Sequence, residues 1–193
     1  AIIIDSDADL DGFPAPAYAL ADTSDTQSSR QWSGFGRLRL NASGLQHQFS
    51  LSASDIARQT VSAFPSAFEA DRQALRWQAD GTFQGLDFVI GAEREESRGT
   101  LSTGRTEQLG TTSAFATART EPTERLNLTG AVRFDDPDDF GAKVTGRVSG
   151  TLDAGAGLIL SAAWGTGFKT PSISQAVCDF CVSSRPFPTL RPE

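Results

Sequence analysis

The sequence predicts an all-β fold, a set of antiparallel strands from a transmembrane β-barrel, and three observations predict it. Apolar residues recur at every second position in one segment after another, the pattern of a strand with one apolar face. The full segments run roughly ten residues, the length a tilted strand needs to cross a hydrocarbon layer, whereas strands of soluble sandwiches average about 5–6. The connections alternate between short and long, as in outer-membrane barrels with tight turns at one end and longer loops at the other.

Taken in order, the chain opens on a strand stub, Ala1 to Ile4. Over 30–40, Trp32, Leu38 and Leu40 share one face, with Gln31, Ser33, Arg37 and Arg39 on the other. The next run sets Leu45, His47, Phe49, Leu51 and Ala53 against Gln46, Gln48, Ser50 and Ser52. Leu75, Trp77 and Ala79 then oppose Arg76 and Gln78, and Leu86, Phe88, Ile90 and Ala92 oppose Asp87, Val89 and Glu93. The run over 111–119 alternates poorly, because Phe115 sits among the polar positions. Leu126, Leu128, Val132 and Phe134 oppose Arg125, Asn127, Thr129 and Arg133, and Val144, Val148 and Leu152 oppose Lys143, Thr145, Arg147 and Ser149. Finally Leu158, Leu160, Ala162 and Trp164 oppose Ser161, Ala163 and Gly165. The sum is about nine strands of a larger barrel. Tight turns are expected at 41–44, near 80–84, at 121–123 and at 153–155, and longer polar loops over 5–29, 57–70, 95–108, 135–141 and 169–188.

Composition narrows the class. The chain is 38% hydrophobic, with 18 Gly, 13 Phe, no Met and a single His, an odd mix for a soluble core. No stretch approaches the roughly 20 apolar residues of a membrane helix, but barrel strands hide their apolar residues in alternation. A net charge of -7 argues against nucleic acid, which calls for clustered cations. No Ser/His/Asp set, phosphate loop or pair of catalytic carboxylates stands out, so an enzyme is not expected. No charged n-region or apolar h-region opens the chain, so no signal peptide is visible, and both ends read as cut from a longer protein.

The polar face carries Arg37, Arg39, Arg76, Arg125, Arg133, Lys143 and Arg147 with few acids. If the apolar face meets lipid, this face lines a cationic interior: a solvated wall, a substrate track or a surface on which a plug docks. Trp32, Phe134, Trp164 and Phe168 stand near strand ends and suit an interfacial aromatic girdle.

The stretch DSDADLDGF places Asp5, Asp7, Asp9 and Asp11 at period two before Gly12. Carboxylates this close repel unless a hard cation offsets them, and Ca2+ takes six to eight oxygens. The other reading is a solvated acidic loop tip. It is not an EF-hand, because the twelfth position from Asp7 is Tyr18 rather than Glu.

The last strand breaks at GTGFKTPS into a loop of roughly twenty residues that ends on LRPE. Gly165, Gly167, Phe168 and Pro171, followed at that separation by Leu190, Pro192 and Glu193, resemble TonB-dependent outer-membrane receptors. There a strand commonly ends in G-x-G-F-[KR]-x-P-[ST] and the next opens on N-L-[KR]-P-E; Thr189 takes the Asn place here. The resemblance covers nearly all of residues 1–193 and implies part of one receptor barrel domain of ~22 strands with a plugged lumen. It further implies active uptake of a small molecule across the outer membrane, with the long loops outside. Energy would come from the TonB complex acting on a plug domain that these residues do not contain.

The acidic stretch looks most like the cobalamin branch, whose surface loops hold Ca2+. On that likeness Asp7, Asp9 and Asp11 are calcium ligands and Asp71 joins them from the next long loop. A Tyr-Asp pair of that branch falls near Thr60 and Val61 and is missing. A ferric siderophore is the competing cargo. Cys178 and Cys181 form a C-x-x-C in the last long loop. An oxidising exterior favours a loop-bracing disulfide over free thiols, and a zinc site would need two further ligands. The alternatives to a receptor are a passive porin or autotransporter barrel, and a soluble secreted β-sandwich that binds Ca2+.

Overall fold

The structure, a computed structural model, describes residues 1–173 and 175. Among the described residues nine strands form one sheet in simple sequence order, every neighbouring pair antiparallel. They are β1 (Ile2–Gly12), β2 (Ala21–Ala42), β3 (Leu45–Val61), β4 (Ser66–Phe83), β5 (Leu86–Leu101), β6 (Thr106–Thr123), β7 (Leu126–Pro137), β8 (Lys143–Gly155) and β9 (Leu158–Gly165). The expected runs all fall on strands, and the faces follow from the register. Arg76 stands opposite Ser50 and Glu93, while Trp77 stands opposite Phe49 and Ala92, so polar meets polar and apolar meets apolar across each ladder.

The apolar face has no partner within the chain. Among the described residues Ala79 is the one fully buried apolar side chain, whereas Leu38, Leu51, Leu75, Val144 and Trp164 are all more than half exposed. In water that face would leave the hydrophobic effect unused on a scale no soluble domain tolerates. A sandwich would cover it with a second sheet, and the described residues supply none. Hydrocarbon covers it instead if the sheet is a barrel wall. The stripe Leu45 to Ala53 on β3 covers nine residues, about 27 Å along the strand and about 20 Å along the normal at a barrel's tilt. At one edge of the band Trp77 Nε1–H donates to His47 Nδ1 at 3.3 Å, the rings stacked, so one ring nitrogen of the only His is satisfied.

The connections alternate in length, but the long ones are shorter than expected. They occupy 13–20, 62–65, 102–105 and 138–142, against two residues each at 43–44, 84–85, 124–125 and 156–157. The residues expected as loops at 5–29, 57–70 and 95–108 are mostly strand. Once a ladder leaves the lipid both faces are wet, so it continues with Ser, Thr, Gln and paired charges and loses its apolar alternation. The bond from Arg30 Nε to Asp5 Oδ1 (2.8 Å) and the Arg72–Glu95 pair tie such extensions together.

The short turns also sit two or three residues later than expected at 121–123 and 153–155. Three of them place both residues at positive φ: Ser43 and Gly44, Gln84 and Gly85, Ala156 and Gly157. That is the type I′ geometry that matches strand twist, and it puts the glycine second.

Candidate functional site

On the apolar face the band ends along a sharp line. Moving toward the long connections, the next same-face residue after Trp32 is Arg30, after Ala53 is Asp55, after Leu75 is Gln73, after Ala92 is Arg94 and after Phe134 is Asp136. Trp32, Phe134 and Trp164 stand on this boundary, as a girdle requires. Phe168 does not; it lies past β9 in a groove on the polar side with Glu93, Ser113, Arg133 and Asp135. Beyond the line, Arg94 grips Asp138 with both terminal nitrogens, at 2.8 and 2.7 Å. That grip holds the Asp138 carboxyl below the usual carboxylate value, the hydrogen bonds being the larger cause and the charge the lesser.

The polar face carries the most heavily built cluster. One row runs straight across the strands: Ser50, Arg76, Glu93, Ser113, Asp135, Lys143. Arg133, one step away on β7, reaches into it. Its Nε donates to Asp135 (2.8 Å) and its Nη2 donates to Ser113 Oγ (2.8 Å) and Glu93 (3.2 Å). Ser113 Oγ in turn donates to Asp135 Oδ1 at 2.7 Å. Ser113 and Asp135 are buried at 3% and 7% exposure, so this wall is rigid. Phe115 belongs to it, which explains the poor alternation of its strand. Its ring lies over Gly91 and carries the Arg76 guanidinium 4.4 Å from its centre.

The wall carries acids as well as cations, since Glu93, Glu95 and Asp135 pair with Arg76, Arg72 and Arg133. Asp135, expected in the loop over 135–141, is a β7 residue, and its sequence position alone gives no sign of its partners. Arg125 is not on the wall but in the 124–125 turn. Arg37, stacked on Phe35 at 5.0 Å, Arg39, bonded to Gln48 Oε1 at 2.9 Å, and Arg147 face the same side with no ion pair among the described residues.

The expected calcium ligands are not brought together. β1 stays extended through Gly12, with Asp7, Asp9 and Asp11 exposed on one face opposite Ser28, Thr26 and Asp22. Alternate residues of a strand are about 6.8 Å apart, so the three span about 14 Å, too far for one ion with bonds of about 2.3–2.6 Å. Asp71 sits on β4, opposite Asp55 and Arg98, three strands from β1. The four do not fit one coordination shell, and no metal-competent group of three or more occurs among the described residues. Gly12 serves a close approach, since a Cβ there would meet Thr23 Cγ2 at 2.9 Å.

Of the motif residues, Gly165 ends β9 opposite Arg147, where a Cβ would come within 3.0 Å of Gly146 O. Thr166 then bonds Gly146 twice, backbone N to O at 2.8 Å and Oγ1 from N at 3.0 Å. Gly167 joins Phe168 in lining the polar-side groove, and Pro171 follows half-buried. Leu190, Pro192, Glu193, Cys178 and Cys181 lie outside the described residues.

Comparisons with known proteins agree with this architecture. The family model "TonB dependent receptor-like, beta-barrel" matches residues 4–193. The siderophore receptor PirA from Pseudomonas aeruginosa superposes with a TM-score of 0.72 at 15% identity, over 80% of this chain and 29% of that one. The RagAB peptide importer in its closed-closed state superposes at 0.50 with 13% identity, over 81% of this chain and 25% of that one. At such identities the likeness is one of fold. No curated protein sequence matches. The chain thus spans between a quarter and a third of these two solved proteins.

Proposed function

Because this chain belongs to the TonB-dependent receptor β-barrel family, we propose that the full-length protein is an outer-membrane active transporter for a scarce small-molecule nutrient. The observation that carries the proposal is the two-sided sheet. One face offers an apolar band to lipid, and the other presents a rigid charged wall to the lumen. A barrel of ~22 strands has room for a plug and a cargo. Energy would reach the plug through TonB, and the long connections would face outside.

For the cargo, a ferric siderophore stands ahead of cobalamin. The cobalamin reading depends on a calcium set at Asp7, Asp9, Asp11 and Asp71, and those residues do not converge. Arg37 and Arg147 on the polar face instead suit an anionic chelate. Uptake by cells carrying the full-length protein tests this, with a ferric-siderophore panel and cobalamin as separate arms. Siderophore uptake abolished by a protonophore is expected. Uptake indifferent to the protonophore indicates a passive pore, and uptake of cobalamin alone restores the cobalamin reading.

A further inference from the structure

We infer that the polar wall carries a carboxylate-binding notch between β6, β7 and β8, for an anionic organic ligand moving along the lumen. This rests on the transporter reading above and assigns a chemical class to what touches this stretch of wall. The notch is lined by Arg76, Arg133 and Arg147 and by Phe115, and the short side chain of Ala131 leaves its floor low. No carboxylate lines it.

The local charge is unbalanced. Three guanidiniums meet two carboxylates: Glu93 is shared between Arg76 at 3.7 Å and Arg133 at 3.2 Å, and Asp135 goes to Arg133 at 2.8 Å. Arg147 is exposed and has no ion pair among the described residues. Arg76 is also under-partnered, since its one ion pair is long. A guanidinium fork matches a carboxylate with two parallel bonds, in a geometry a water molecule cannot reproduce. The Phe115 ring and Ala131 favour a carboxylate on an organic body over a bare inorganic anion, because they return nothing to a fully hydrated ion.

Calorimetric titration of the full-length protein with citrate, at low ionic strength, tests the notch, with inorganic phosphate as a second arm. Saturable citrate binding is expected, weakened about tenfold or more by Arg147→Gln, the effect of losing one charge-assisted bond. Arg147 makes no contact on which the fold depends, so this variant should fold. Arg39→Gln, on the same wall at β2, should leave citrate affinity unchanged, and phosphate should bind more weakly than citrate. Several results overturn the notch: no citrate binding to the unaltered protein, as when another part of the same protein fills it; binding that Arg147→Gln leaves intact; an equal loss in Arg39→Gln; or phosphate as tight as citrate. None of these depends on proton-motive force, so failure of the transporter reading is seen separately, in the protonophore arm of the uptake experiment.

Discussion

Gly91 shows how single residues shape the wall. It stands between Gln78 and Phe115 in one row, and a Cβ there would run into the Phe115 ring and come within 2.6 Å of the Trp77 carbonyl oxygen. Only a hydrogen lets Phe115 lie across β5 with Arg76 stacked on it. Gly91→Ala should therefore cost about 1–3 kcal/mol, the usual effect of overpacking a filled site. Gly36→Ala on β2, where a Cβ meets nothing within 4 Å, should be neutral or slightly stabilising. Denaturant refolding of the full-length protein measures both, and equal losses would contradict the packing described. Asp138 supplies a pH prediction. Its carboxyl titrates lower folded than unfolded, so its contribution is present above the unfolded value of about 4 and lost as pH falls through the folded one. The 138–142 connection should loosen below about pH 4, seen as faster exchange of the Asp138 amide that donates to Gly110 O at 2.9 Å. Asp138→Asn should remove that pH dependence.

At the scale of the element, each strand should be two-faced along its crossing segment. Ile90 lies mid-band on β5 between Ala79 and Ala116, and Val89 faces Asp80 and Thr117. Ile90→Arg should cost about 2–4 kcal/mol of refolding free energy in lipid and Val89→Arg much less, and equal losses would mean the faces are misassigned. The hairpin turns are a separate test. Gly85 has φ of +79°, so Gly85→Ala should cost about 1–2 kcal/mol. Strand number, order and face were legible because lipid imposes period-two alternation on every crossing segment. The extensions beyond the lipid were not legible, since nothing there selects apolar residues; Asp5 to Asp11 therefore read as a loop able to fold back, where the ladder in fact holds them extended. The lumenal cluster was half legible. Arg76 and Arg133 stood out as cations on the polar face, but Ser113 and Asp135 gained their partners only through register across four strands.

At the scale of the whole molecule, the nine described strands form one membrane wall, with every two-residue turn on one side and every longer connection on the other. Ser66 opens β4 beside the 62–65 connection, and Ala154 lies near the 156–157 turn; both are exposed. With a single cysteine at either position of the full-length protein, cells should be treated intact with a membrane-impermeant thiol reagent, and the outcome compared with lysed cells. The native Cys178 and Cys181 are replaced by Ser in both variants. The account predicts labelling at position 66 on intact cells and at position 154 only after lysis. Equal labelling of the two on intact cells would contradict it.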